Sequence, residues 1–330
     1  MEPTPGRVAE ISVVLATRHG RDGIARALES LCRQSRSDAL ELVIVAEASE
    51  AMPTLREAEA ARFAAHRIVE LPVIESKASA NAAGARRANA PIVAFAEDHA
   101  FADPHWAESL LSSFEDAKVA AVGPRVRNAN PASKVSWCDL VSNYGDWMSA
   151  EDSGPRETLP GFLSAYRRAA LDPYEDRLEA WLEVENEMHR EMHRQGATLC
   201  YEPGAVVDHV NLSRWQPWLA ALFAAGRIYA AERAREWSVA RRALYVLAWP
   251  AIPFVRLARR IAGWPSDVTA LPGRWQLAPT LLLGLFADAA GQALGFANGA
   301  GEAGARMLRF EFGRGPHLRS AERHLVEASR

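Results

Sequence analysis

Ile92-Val-Ala-Phe-Ala-Glu-Asp-His99 is an apolar run that stops abruptly at two acids and a histidine. The apolar residues have the length and composition of a buried β-strand. In open α/β folds, ligands bind at the carboxyl ends of the strands, which is where Glu97, Asp98 and His99 are expected. Carboxylates and an imidazole suit a divalent cation such as Mn²⁺ or Mg²⁺, and such a cation suits a diphosphate. The simpler alternative is an acidic turn without a ligand.

The first half of the chain alternates between short apolar runs and helical patterns. Strands are predicted at Ile11–Ala16, Leu42–Ala46, Ile68–Leu71, Ile92–Ala96 and Val119–Val122. Helices are predicted at Ile24–Gln34, Thr54–Ala65, Ala78–Ala88 and Trp106–Phe114. Strands that alternate with helices predict βαβ units, and therefore an α/β fold with a mostly parallel central sheet and flanking helices.

The composition limits the classes of partner. The chain has 330 residues, 49% of them apolar, so it can bury one large core or two modest ones. A net charge of −3 argues against a nucleic-acid partner held by bulk charge. Scattered cysteines, and an N-terminus without a basic start and an apolar core, predict a cytoplasmic location and no secretory signal.

Lysine is rare in this chain, so Lys77 stands out. It comes just before the predicted helix that leads into the Ile92–His99 stretch. An ammonium group there is a candidate point charge for a phosphate, and a solvated lysine is the alternative.

The middle of the chain carries weaker patterns. Residues Asn128–Thr158 are polar and rich in turn residues, which predicts a long functional loop. A helix near Arg177–Gln195 and two short strands, Thr198–Tyr201 and Ala205–Val207, are predicted to follow.

The last third is helical and apolar. An amphipathic helix is predicted at Trp215–Ala231, followed by apolar stretches at Ala243–Val255 and Leu277–Ala297. Neither stretch is a clean run of about 20 uncharged residues, so the sequence does not establish a transmembrane helix. Arginines and tryptophans around apolar helices suit the interface of an anionic membrane. The alternative is a helical subdomain packed against the sheet or a second subunit. We therefore predict a catalytic domain at 1–212 and a helical, membrane-associating or interaction-forming region at 213–330.

From about Ile11 to His209, the order of these features resembles the family 2 glycosyltransferases, inverting enzymes of the GT-A fold. Ser12–Thr17 is similar to the opening strand of that family, and the resemblance places Thr17 where the chain turns over the nucleotide. Leu42–Ser49 is similar to the second strand, whose two aspartates help to hold the base, and here Glu47 takes the second place. Ala78–Arg87, with Gly84, looks like the helix over the diphosphate.

Within this resemblance, Glu97-Asp98-His99 takes the place of the acidic D-x-D signature. The resemblance implies that Glu97 contacts the nucleoside. It further implies that the metal is held by His99, with Asp98 and His209 as further ligands. A neutral imidazole suits Mn²⁺ better than Mg²⁺.

The resemblance also implies a catalytic base. An inverting transfer needs a carboxylate to take the proton from the acceptor hydroxyl while the diphosphate leaves on the opposite face. Aligned back from Tyr201–His209, the aspartate of the family falls on Glu185, with Glu183 and Glu187 as near alternatives. Three solvated glutamates at a helix N-terminus would also look like this.

Gly161 and Arg168 are similar to the segment that lines the donor sugar and the acceptor. Together these residues predict transfer of a sugar, most simply from a UDP-sugar, to a hydroxyl acceptor that is lipid-linked or a cell-surface glycan precursor. This chemistry belongs to polysaccharide biosynthesis at the cytoplasmic face of a membrane. The rival hypothesis is a catalytically silent GT-A-like domain that binds a nucleotide or anchors a complex. His189 and His193 share a helical spacing with zinc peptidases, but the glutamate that such motifs require is absent.

Overall fold

The chain divides into two compact units. The computed structural model describes residues 7–48, 52–150, 153–265 and 267–327. The first unit contains residues 1–127, 147–209 and 324–330, and the second contains 128–146 and 210–323. The second unit therefore begins its long segment three residues before the predicted boundary, and it also takes in residues 128–146, which were assigned to the catalytic domain.

The first unit is built on one twisted sheet. Its strands within the described residues are β1 (Ile11–Thr17), β2 (Leu40–Glu47), β3 (Ala65–Leu71), β4 (Ile92–Ala96), β5 (Ala100–Ala102), β6 (Val119–Asn128), β7 (Gly154–Pro155), β8 (Ala165–Arg167) and β9 (Thr198–His209). They are ordered β3-β2-β1-β4-β8-β6-β9-β5, and β7 pairs with β9. β1 to β4 run parallel, whereas β8 pairs antiparallel with β4. The α/β class predicted from the alternating pattern is confirmed.

Helices flank this sheet and form the second unit. They are α1 (Gly20–Cys32), α2 (Glu57–Ala60), α3 (Lys77–Arg87), α4 (Trp106–Ser113), α5 (Lys134–Tyr144), α6 (Arg168–Leu171), α7 (Leu178–Leu182), α8 (Glu185–Arg194), α9 (Trp215–Arg233), α10 (Val239–Ala248), α11 (Ile252–Ala262), α12 (Arg274–Asn298) and α13 (Ala303–Glu311).

Helix α3 shows how the local sequence fixes the fold around the sheet. Ser76 caps the helix by accepting a hydrogen bond from the Ser79 backbone N–H at 3.0 Å. Further along, a Cβ on Gly84 would overlap the side chain of Val14 in β1 and press on Val45 in β2. Only glycine therefore lets α3 lie this close to the buried sheet.

Four of the predictions differ from the structure. The helix predicted at Thr54–Ala65 is only the short α2, because β3 begins at Ala65. The helix predicted at Arg177–Gln195 is interrupted at Val184, whose backbone leaves the helical region, so α8 starts afresh at Glu185.

The two short strands predicted after α8 form one strand, β9. Pro203 and Gly204 lie between the two predicted strands. The Gly204 backbone N–H is satisfied by the side chain of Glu202 at 2.7 Å, so the strand continues through. The loop predicted at Asn128–Thr158 instead contains α5, most of which is buried in the second unit.

In the second unit, helices α9 and α12 pack with their backbones unusually close. A Cβ on Gly291 or Gly295 of α12 would overlap the carbonyl oxygens of Phe223 or Arg227 in α9. Small residues at this spacing are what allow such close helix contacts. Among the described helices, α12 alone is long and apolar enough to cross a membrane, a test that core helices of soluble proteins also pass.

Candidate active site

The sheet order brings several predicted residues to one edge. β1 lies between β2 and β4, and all three are parallel, so Thr17, Glu47 and Glu97 follow or end neighbouring strands at the same edge. His209 ends β9 and pairs with Ala100, the residue after His99. This edge therefore assembles residues that are far apart in the sequence.

Glu97, His99 and His209 form a buried cluster at this edge. Glu97 Oε2 lies 3.5 Å from His99 Nε2 and 3.4 Å from His209 Nε2. None of the three side chains is more than 2% exposed, and one ligand atom from each lies within 4.8 Å of the others. Burial alone raises the pKa of Glu97, but the two imidazoles and Lys77 outweigh it and lower that pKa to about 2. Glu97 is therefore a carboxylate at neutral pH.

Asp98 has a different position from the one implied by the resemblance. Its Oδ1 lies 2.5 Å from His99 Nδ1 and so fixes the ring from behind. His99 is left with Nε2 turned toward Glu97 and His209. A carboxylate behind a histidine is the usual partner of a metal-binding imidazole. The structure thus groups Glu97 with the two histidines as a possible set of metal ligands and places Asp98 behind the His99 ring.

This donor set fits a divalent metal. Two imidazole nitrogens and one carboxylate oxygen, all buried and close together, match the preferences of Mn²⁺ better than those of Mg²⁺, which favours oxygen ligands. Lys77, at the start of α3, adds a positive charge at the same place. Its Nζ donates to the Ala96 carbonyl at 3.4 Å, directly before Glu97.

Glu185 is brought to the same edge by the turn before β8. Ala165 of β8 pairs with Ala94 of β4, and the Phe95 backbone N–H donates to the Ser164 carbonyl at 3.1 Å. Because these strands are antiparallel, the turn that precedes Ser164 lies toward the end of β4 from which Glu97 follows. The Phe162 backbone N–H in turn donates to Glu185 Oε1 at 3.0 Å. Glu185 is half-buried, and it lies at the first position of α8.

The chain is similar to proteins whose family is known. A family model described as glycosyltransferase like family 2 matches residues 8–225, about two-thirds of the chain. The chain belongs to this glycosyltransferase family. Over 224 residues the glycosyltransferase is 26% identical to the pre-mycofactocin glycosyltransferase of Mycobacterium tuberculosis, covering 64% of this chain and 45% of the relative. It thus spans about half the length of that relative.

A solved structure supports the fold. A mannosyltransferase from Pyrobaculum calidifontis, determined in complex with GDP-Man and Mn²⁺, aligns with a TM-score of 0.54 at 17% identity. The alignment covers 88% of this chain and 89% of the other. The glycosyltransferase therefore has the GT-A-like fold implied by the sequence resemblance, with a C-terminal helical region.

The backbone around Gly161 leaves no room for a side chain. A Cβ on Gly161 would overlap Glu185 Oε2, and the next residue, Phe162, already has a positive φ of 55°. The short turn is therefore shaped around the carboxylate of Glu185. From the sequence, Gly161 was linked to the sugar and the acceptor only through the resemblance.

Gly161→Ala is expected to lower turnover by about 10- to 100-fold, because the new methyl group displaces Glu185 by about an ångström. The melting temperature is expected to change little, since a half-buried glutamate can rotate away. Turnover and thermal unfolding measure the two effects. Gly304→Ala is the control, because no described atom lies within 4 Å of a Cβ there. Full activity of Gly161→Ala would contradict this role for the turn.

A buried histidine secures the other end of the same turn. His189 Nδ1 accepts the Leu159 backbone N–H at 3.3 Å, and its Nε2 lies 2.8 Å from the Tyr166 hydroxyl. Glu185 and His189 are one helical turn apart on α8, so together they hold residues 159–162. Sequence reasoning considered His189 only as half of a zinc pair. The second half, His193, instead contacts the Arg156 carbonyl at 2.6 Å.

His189 gives the glycosyltransferase a pH-dependent stability. Burial, followed by the nearby positive charges of His193 and Arg190, lowers the pKa of His189 from 6.5 to about 3. Between these values the unfolded chain binds the extra proton, so the free energy of unfolding falls as the pH is lowered through this window, by up to ~1.4 kcal/mol per pH unit.

His189→Gln is expected to flatten this dependence. Urea unfolding at pH 7, 6 and 5 measures how the free energy of unfolding changes with pH in the parent chain and in the variant. The two chains share every other titratable group, including Glu185 and Tyr166, which face His189, so the difference between their slopes reports on His189. Parallel slopes for the two chains would contradict a buried neutral His189.

Two residues predicted to contact the donor nucleotide, Thr17 and Glu47, lie at this edge, but each already has a hydrogen-bond partner within the protein. The Thr17 hydroxyl accepts the His19 N–H at 3.1 Å and donates to the Gly20 carbonyl at 2.9 Å, so it fixes the turn into α1. Glu47 accepts from Arg18 Nε at 2.6 Å, and this hydrogen bond lowers the pKa of Glu47. Arg18, which sequence reasoning missed, therefore lies with Glu47 where the base of the donor nucleotide was expected to bind.

Arg168 and Gly84 are not at this edge. Arg168 donates to the carbonyls of Ala88 and Ala90, before the start of β4. The length of β4, roughly 15 Å, separates it from Glu97. Gly84 faces Val14 and Val45 within the helix–sheet contact. Arg168 therefore hydrogen-bonds to the chain before β4 and does not lie where a diphosphate would bind at this edge. Gly84 allows helix α3 to pack closely on the sheet.

Proposed function

We propose that the chain is an inverting glycosyltransferase that moves a sugar from a nucleoside diphosphate donor to a hydroxyl acceptor. The observation that carries this proposal is the pairing of two features at one sheet edge. One is the buried Glu97, His99 and His209 cluster, and the other is the Glu185 carboxylate held by the Phe162 backbone. A metal-assisted leaving group and a base for the acceptor are what the reaction needs.

The diphosphate side of the reaction falls to the buried cluster. Mn²⁺ held by Glu97, His99 and His209 would neutralise the charge on the departing nucleoside diphosphate. Asp98 keeps the His99 ring oriented, and Lys77 adds a fixed positive charge beside Glu97. The Glu-Asp-His sequence would thus do the work of a D-x-D signature with its ligands rearranged.

The acceptor side falls to Glu185. Its Oε1 is fixed by the Phe162 N–H, and Oε2 packs against Gly161, so the carboxylate is oriented by the backbone. In this position it would take the proton from the acceptor hydroxyl as the new bond forms, while the nucleoside diphosphate leaves from the other face of the sugar. Inversion at the anomeric carbon follows from this single displacement.

The donor and the acceptor are proposed by class. A UDP-sugar is the first choice, and the mannosyltransferase of the same fold, which was solved with GDP-Man, adds that donor to the panel. The acceptor is proposed to be lipid-linked or a glycan precursor at the cytoplasmic face of a membrane. The second unit supports this, since α9 follows His209 after only five residues and leads into apolar, arginine-rich helices.

The test is release of nucleoside diphosphate from a panel of UDP-sugars and GDP-mannose, with Mn²⁺ and with membrane lipid extract as the source of acceptor. Release that requires both Mn²⁺ and acceptor, with an inverted anomeric configuration in the product by NMR, is the expected result. No release from any donor would favour a silent GT-A-like domain. That alternative is motivated by Ala46, His99 and Glu185, which stand where the family carries aspartates. Retention of configuration would contradict the single displacement.

A further inference from the structure

A cavity in the second unit is rich in arginine. It has a volume of about 310 Å³, and its walls include Ser142, Asp146, Arg256, Arg259, Arg260 and Leu281. The three arginines are spaced i, i+3 and i+4 on α11, so they share one face of that helix. This volume is at the lower end of the range for small-molecule sites.

Two of these arginines already have carboxylate partners in the same unit. Arg260 Nη1 donates to Asp146 Oδ1 at 2.7 Å, and Arg256 pairs with the half-buried Asp288 of α12. The guanidinium of Arg259 makes no hydrogen bond or ion pair with any residue that the structure describes. Of the three arginines in the cavity wall, Arg259 is therefore the one whose charge is not paired with a described carboxylate.

The helices beside the cavity present apolar side chains to solvent. On α10, Leu244 and Leu247 are 63% and 80% exposed. On α11, Phe254 and Val255 are 56% and 50% exposed, and they directly precede Arg256. Helices α10 and α11 are joined by the three residues 249–251, and both pack on α12, where Phe254 contacts the Phe286 ring at 5.5 Å. Neighbouring apolar and cationic groups are characteristic of a helix that lies in a membrane interface.

We propose that the α10–α11 hairpin lies in the interface of an anionic bilayer and that the cavity binds the phosphate of one lipid headgroup through Arg259. Guanidinium groups bind phosphate oxygens through paired hydrogen bonds, and Ser142 supplies a hydroxyl at the same wall. The exposed apolar residues of the hairpin contact the apolar part of the lipid. This inference deepens the membrane contact of the proposed function, and it does not depend on the donor site.

The test is co-sedimentation of the full chain with vesicles of phosphatidylcholine alone or with 30% phosphatidylglycerol. Binding only to the anionic vesicles is expected, and Arg259→Gln is expected to weaken it about five-fold, the change that one interfacial charge produces. Leu247→Ser should weaken it as well, since it removes exposed apolar area without touching the core. Arg306→Gln, an exposed arginine on α13, is the matched control and should bind like the parent chain.

Three results would overturn the inference. The first is vesicle binding that neither Arg259→Gln nor Leu247→Ser changes. The second is no vesicle binding together with an Arg259-dependent thermal shift in inorganic phosphate, which would identify a soluble ligand. The third is a dimer in light scattering that Leu247→Ser abolishes, which would make the hairpin an interface between copies. Donor-induced thermal shifts measured on the same samples report on the catalytic unit separately.

Discussion

Glu185→Gln is expected to lower turnover by about 10³-fold while the affinity for the donor stays within a few-fold. The amide has the shape of the carboxylate and can still accept the Phe162 N–H, so the turn around Gly161 is preserved. It cannot take a proton from the acceptor, and a positioned general base contributes typically about 10² to 10⁴ in rate. Steady-state kinetics with titrated donor and acceptor measure both quantities.

Glu187→Gln is the matched control for this substitution. Glu187 lies two residues further along α8 and pairs with Arg190 at 2.7 Å on the helix surface. Its loss removes a partly exposed ion pair worth under about 1 kcal/mol, so turnover is expected to stay near the parent value. The assignment of the base to Glu185 is wrong if Glu185→Gln retains turnover, and it passes to Glu187 if only that variant is inactive.

His209→Ala is expected to weaken Mn²⁺ binding by roughly 100-fold or more and to lower turnover equally at limiting Mn²⁺. Removing a residue that only orients a metal ligand typically lowers metal affinity by about 10- to 100-fold, and removing the ligand itself is expected to cost more. The His209 imidazole faces Glu97 from a different strand, so its removal leaves His99 and Asp98 in place. Partial rescue of turnover by millimolar Mn²⁺ is expected, since two proposed metal ligands, Glu97 and His99, remain. Metal titration in the presence of a nucleoside diphosphate measures the affinity.

Asp98→Asn provides a graded comparison. It keeps the shape beside His99 Nδ1 but removes the charge that orients the ring, so a smaller loss of Mn²⁺ affinity, about ten-fold, is expected. Equal effects of the two substitutions would place Asp98 among the ligands, as the sequence resemblance implied. Unchanged Mn²⁺ dependence in His209→Ala would remove the cluster from the metal site.

The strand pattern predicted much of the catalytic unit because the signal was local. Parallel strands buried on both faces have nearly continuous apolar runs, so β1, β2 and β4 were visible in sequence. The place where β4 ends also follows, since Glu97 interrupts its apolar run. The fold class therefore needed no long-range information.

The roles within the site depended on long-range geometry. The direction of the backbone after β4 decides that Glu97 lies near the Nε2 atoms of both histidines and that Asp98 lies behind the His99 ring, which spacing alone does not determine. The resemblance placed Arg168, with Gly161, in the segment that lines the donor sugar and the acceptor. The antiparallel course of β8 carries it to the opposite end of β4. The network of His189 with Leu159 and Tyr166 joins three separate segments, and the only sequence signal for it was an unexplained histidine.

The second unit was harder to predict for a similar reason. Helix α5 lies in a segment whose polar and turn-forming residues suggested a loop, and its apolar side chains are buried by the later helices of the same unit. Asp288 and Gln292 interrupt the apolar pattern of α12, yet they bind each other, and Asp288 also binds Arg256. Such pairings are visible only once the helices are packed.

Thermal stability of the full chain with each nucleotide sugar, with and without Mn²⁺, reports directly on whether the sheet edge at Glu97 binds a sugar donor. A donor present at one hundred times its dissociation constant is expected to raise the free energy of unfolding by about 2.7 kcal/mol. We expect such a stabilisation for at least one donor in the presence of Mn²⁺, and its loss in His209→Ala. No stabilisation by any nucleotide sugar, with or without the metal, would contradict a nucleotide-sugar site at this sheet edge.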